Sequence, residues 1–175
     1  MCGVMARRLA AAPARVIGVV PAGGGTPLNA LDALNLGPLL VRLAGALAGF
    51  VGGRVGVVPR WRSWGKDPGG SSGESGTLRL RAMGTSVVAI VPPACPNSRA
   101  AALAVQEALW SLPAGIERVF VDLGGYAALG AFPGAAAIAD GIVLAVPARR
   151  VRRARLEKLL AAIPEGKNLG SILIG

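Results

Sequence analysis

The chain has 175 residues, with 19 Lys and Arg against 9 Asp and Glu for a net charge of +10, and 53% of its residues are apolar while 16% are charged. That length suits one ordinary domain, and that composition supports a sizeable core and excludes a disordered chain. His is absent and aromatic residues make up 4%, which removes imidazole from every acid–base or metal scheme and leaves little for stacking on nucleobases.

The start of the chain carries Arg7 and Arg8 before an Ala-rich stretch, too weakly apolar for a secretory leader. Residues 1–14 are expected to be an uncleaved N-terminal extension, with a single α/β domain filling 15–175. β-Branched apolar runs predict strands at Arg15–Val20, Arg54–Val58, Ser86–Val91, Arg118–Asp122, Gly141–Val146 and Ser171–Ile174. Between them Leu39–Phe50, Ser98–Leu112 and Arg149–Ile163 are long enough for crossover helices. The strand runs are apolar throughout instead of alternating, as in strands covered on both faces. The expectation is a mostly parallel sheet of about six strands flanked by helices. Residues 60–76, rich in Gly, Ser and charge, predict a flexible surface loop. The most apolar run, Leu39–Val51, is interrupted by Arg42 and by glycines, so no membrane span is expected.

Two features carry chemistry. The first strand runs into Pro21–Pro27, where Gly23, Gly24, Gly25 and Thr26 precede a helical pattern. Backbone N–H groups in such a turn cradle phosphate. This turn has no lysine for the terminal phosphates, Arg42 is too far along to replace it, and Pro27 lacks an N–H. A ligand-free tight turn and a weak phosphate site therefore both stand. The second feature is Arg149, Arg150, Arg152, Arg153 and Arg155, followed by Lys158, at the start of a helix whose stripe is Leu156, Leu159, Leu160 and Ile163. Cations in first turns oppose the helix dipole, so an anionic partner is expected there; a solvated basic face is the alternative.

Asp122 ends its strand, a place for an aspartate that caps the next turn. Trp61 and Trp64, interleaved with Arg60, Arg62 and Lys66, suit a membrane-surface or protein contact, or fold back on the core. Cys2 and Cys95 form no CxxC or close pair, which excludes a zinc ribbon, a redox motif and a disulfide scaffold and fits a reducing cytoplasm.

Several segments resemble the MinD/ParA group of P-loop ATPases, and in more detail the cytoplasmic domain of the bacterial tyrosine kinases that accompany polysaccharide co-polymerases. Ala14–Thr26 is similar to the first strand and P-loop, Asn35–Ala48 to the helix that follows, and Gly52–Pro59 to the second strand. Ser86–Ser98 and Arg118–Gly125 resemble the next strand and the Walker B strand, and Ala139–Leu160 the turn, strand and basic helix start near the nucleotide base. The resemblance implies a P-loop NTPase-like fold, ATP or ADP with Mg²⁺ at Gly23–Thr26 and Asp122, and a cytoplasmic place that extends to the inner face of the membrane. The chain departs from the pattern at the missing lysine. It departs again at Pro59 in place of the Walker A′ aspartate, at Gly134 in place of an aspartate, at Ile174 near the base-reading asparagine, and in having Tyr126 as its one tyrosine.

Those departures imply a degenerate relative without catalysis, a regulatory or assembly subunit whose partner is a protein of an envelope polysaccharide machinery. A positioning factor that binds DNA or acidic membrane through its basic face, and a weak nucleotide switch, stay open beside it, as does a homo-oligomer.

Overall fold

The computed structural model describes residues 2–22, 36–60, 78–93, 95, 98–124, 136–148 and 151–174. All six apolar runs form strands: β1 (Val16–Pro21), β2 (Arg54–Val58), β4 (Val87–Val91), β5 (Ile116–Asp122), β6 (Gly141–Pro147) and β7 (Asn168–Ile174). A seventh, β3 (Arg79–Ala82), joins the sheet of about six that the apolar runs announce. It is exposed along its whole length and has no apolar run to announce it; its extended shape comes from antiparallel pairing with β4, from Arg79 against Val91 to Ala82 against Val88. The strand order is β3-β4-β2-β5-β1-β6-β7, and every pairing other than β3 with β4 is parallel.

The helices are α1 (Cys2–Ala11), α2 (Gly37–Val51), α3 (Ser98–Trp110) and α4 (Arg153–Ala162). In α2, Leu40, Leu43, Ala44, Leu47 and Ala48 repeat at helical spacing and are all buried. Pro38 stands in its first turn, where no N–H is needed, and Gly52 closes it in the left-handed region at φ 70°. Residues 1–14 contribute α1, whose Met5, Ala6 and Leu9 join α2 in one core layer over Ile17, Val19, Val55, Val57, Phe120 and Val143. On the opposite face Ala101, Ala104, Val105 and Ala108 of α3 pack over Val20, Val58, Ile90, Val119, Val121 and Leu144. Both faces of the central strands are thus buried, which is why their sequences read as unbroken apolar runs.

The helix expected from Arg149 to Ile163 is shorter. It begins at Arg153, with Arg152 in extended conformation as its N-cap residue, and Ile163 already lies beyond its end. Only Arg153 and Arg155 of the five arginines are inside α4; Arg149 and Arg150 lie outside the described residues. The leucine stripe is narrower than its spacing suggests, since Leu160 is exposed while Leu156 and Leu159 are half-buried against the α3 layer.

Candidate functional site at the carboxyl edge

β1 and β5 are neighbours in register, Val19 opposite Asp122. The chain leaves β1 toward β2 on one side and leaves β5 toward β6 on the other, so their carboxyl ends form the crevice where ligands bind in sheets of this kind. The exits are fixed by backbone bonds: the Leu123 N–H donates to the Val19 carbonyl at 2.9 Å, and the Ala22 N–H to the Ala145 carbonyl at 2.8 Å.

Asp122, the last residue of β5, is 3% exposed and is the one buried charged residue among the described residues. Its Oδ1 accepts the Gly124 N–H at 2.8 Å. Its Oδ2 lies 3.8 Å from Nε of Arg60, whose side chain is 16% exposed. Burial pushes the Asp122 carboxyl pKa up, and the Gly124 N–H and then the Arg60 charge pull it partly back. Gly124 is where it is for a steric reason as well. A Cβ there would stand 2.8 Å from Arg60 Nη2, and 3.0 Å from both Asp122 Oδ1 and Pro21 Cγ. The guanidinium therefore rests against the Gly124 backbone, beside the exit of β1.

The cap reading of Asp122 is thus built into the structure through Gly124, and its divalent-cation reading meets a chemical obstacle. Mg²⁺ demands near-octahedral oxygen ligands. Asp122 offers one oxygen already holding an N–H and another facing a guanidinium, Pro59 supplies no carboxylate, and no three His, Cys, Asp or Glu side chains cluster among the described residues. The described side of the site offers an ion one carboxylate, with the Arg60 charge beside it, and Gly23–Thr26 lie outside the described residues.

Gly23, Gly24, Gly25 and Thr26, with Trp61, Trp64, Tyr126 and Gly134, lie outside the described residues. Arg60, grouped in the sequence with the Trp/Arg stretch, instead turns to Asp122; its position directly after the carboxyl end of β2 was the signal. α4 follows β6 and so begins at this same edge. Arg152 and Arg153 are exposed and Arg155 is half-buried. Arg153 Nε donates to Glu157 Oε1 at 2.7 Å, an exposed i,i+4 pair on its own helix. Cys95 Sγ donates to the Pro93 carbonyl at 3.2 Å, and burial, then the Glu107 charge, push the thiol up.

Two charged residues that the sequence left unremarked work at other positions. Asp140 Oδ2 accepts the N–H groups of Arg15 at 3.0 Å and Val16 at 2.8 Å, pinning the start of β1. Lys167 Nζ donates to the carbonyls of Ala136, Ala137 and Ala139 at 3.2, 3.3 and 2.7 Å. No helix among the described residues is long and apolar enough to cross a membrane.

No known protein family matches the sequence, MinD/ParA included, and no curated protein matches it. Among solved structures the chain is similar to the BceF tyrosine kinase domain, with a TM-score of 0.60 over 99% of this chain and 74% of that one at 16% sequence identity. That likeness shows the fold, a mostly parallel α/β sheet with helices on both faces.

Proposed function

We propose that the chain is a non-catalytic, P-loop-derived regulatory or assembly subunit of a cell-surface polysaccharide (exopolysaccharide) biosynthesis and export machinery, acting on the cytoplasmic side. The observation that carries the reading is the state of Asp122, whose carboxylate is engaged by Gly124 and Arg60 at the edge where a kinase would hold its metal. Phosphoryl transfer depends on positioning and on charge neutralisation by a lysine and Mg²⁺. The Gly-rich turn has no lysine and Pro59 is no acid, so the groups that would lower the barrier are missing together. The pathway rests on the resemblance to polysaccharide-associated kinases and on the shared fold with a tyrosine kinase domain.

In this reading the fold serves as a platform. The arginines at 149, 150, 152, 153 and 155 meet an acidic surface of the partner, and the exposure of Arg152 and Arg153 beside the ligand edge supports that assignment. The experiment is affinity purification of the chain co-expressed with the products of its neighbouring genes, with and without Mg²⁺ and ATP. The expected outcome is a partner from envelope polysaccharide synthesis, retained equally under both conditions and lost when Arg152→Glu and Arg153→Glu are combined in a folded protein. Retention that requires ATP would favour a nucleotide switch. Salt-sensitive binding of the same arginines to DNA or anionic vesicles, with no protein retained, would favour a positioning factor.

A further inference from the structure

We infer that a cavity beside α2 is a binding site for an amphiphile with one apolar chain and an anionic head. The sheet order puts β4 and then β3 beyond β2, and α2 packs over β2, β5 and β4. β3 is exposed along its whole length, so the sheet runs on past the helix that covers it. A cavity of about 780 Å³ lies at that step, between the first two turns of α2 and strands β2, β3 and β4. Its size is that of a small-molecule site. Val57 and Ala89, both buried, form its floor, and Val41 of α2 and Met83 just past β3 line its sides. Ala89, opposite Arg81 in the β3–β4 ladder, leaves space that a longer side chain would fill.

Two cations stand among these apolar groups, Arg42 from α2 and Arg81 from β3. Both are exposed, and neither forms an ion pair among the described residues. No hydroxyl, amide or carboxylate side chain lines the cavity, so a sugar would find no side-chain oxygen to bond. A guanidinium fork suits carboxylate and phosphate, while the apolar floor rewards each methylene it takes from water. One molecule meets both demands if it carries an oxyanion at one end and a saturated chain at the other. Met83, unbranched and 44% exposed, adapts to the shape of such a chain. The site lies on the face of the sheet opposite α3 and is independent of the non-catalytic reading.

The test is calorimetric titration of the full chain with decyl phosphate and with decanoate, each below its micellar concentration, and with 1-decanol as the neutral control. The expected result is saturable binding of one molecule per chain, the tighter of the two anions identifying the head. The six-carbon homologue of that anion should bind about tenfold more weakly or worse, for the methylenes it lacks. Arg42→Gln combined with Arg81→Gln, at exposed positions where the unliganded Tm should hold, should weaken the anion about tenfold and leave 1-decanol unchanged. Arg99→Gln, equally exposed but on α3 across the sheet, should bind the anion as wild type does. Should the double variant fail to fold, Arg81→Gln alone and the chain-length comparison decide. Absence of saturable binding by both anions overturns the inference. Affinity that ignores chain length, or that falls equally in Arg99→Gln and the double variant, overturns it as well.

Discussion

Moving the Asp122 carboxylate from water to the end of β5 disfavours its charged form, and the Gly124 N–H and Arg60 restore only part of the loss. The sign of the consequence follows from linkage. With the folded pKa above the ordinary value of 3.8, the folded chain binds more of this proton than the unfolded chain as pH climbs past that value. Asp122 therefore subtracts stability as pH rises through the window, and its cost is absent below it. Asp122→Asn keeps an acceptor for the Gly124 N–H and has no proton to lose. Urea denaturation from about pH 4 to about pH 7 should show a downward slope in wild type that is shallower in this variant; parallel slopes would contradict the account. At this scale Asp122 was legible because a polar residue closing an apolar run marks a strand end. Its partnership with Arg60 was not, because that contact joins two strands that are neighbours only in the sheet.

Elements were most legible where burial on both faces left an unbroken apolar run, as in Val87–Val91 and Gly141–Pro147. They were least legible where pairing or packing supplied the order. β3 reads Arg-Leu-Arg-Ala and is extended because β4 lies beside it. α1, whose Ala-rich sequence suggested only an extension, buries Leu9 completely and Met5 nearly so under the same layer as α2. Leu9→Ala should therefore cost about 2–5 kcal/mol, read as a lowered urea midpoint at unchanged slope; a midpoint within error of wild type would mean that α1 is not part of the cooperative core. α4 shows the reverse error. Leucine spacing alone predicted a longer, better-buried helix, but its start waits until Arg153 and no residue in it is fully buried. Sequence periodicity identifies a face, whereas the depth of its burial depends on what lies beneath.

Across the whole molecule, the carboxyl edge of the sheet carries the buried Asp122 with Arg60 beside it. The net charge of +10 makes an anionic partner the natural complement, and exposed Arg152 and Arg153 at the start of α4 present part of that charge. The fold class was legible in the sequence because strand and helix signals alternate along most of the chain. The condition of the site was legible only as missing groups, and the pairing of Arg60 with Asp122 had to be seen in three dimensions. The central claim is that this edge performs no phosphoryl transfer. Its most direct test is incubation of the purified chain with Mg²⁺ and γ-labelled ATP, following phosphate release and self-labelling together. The account predicts neither above the level without protein; turnover or labelling that disappears in Asp122→Ala would contradict it.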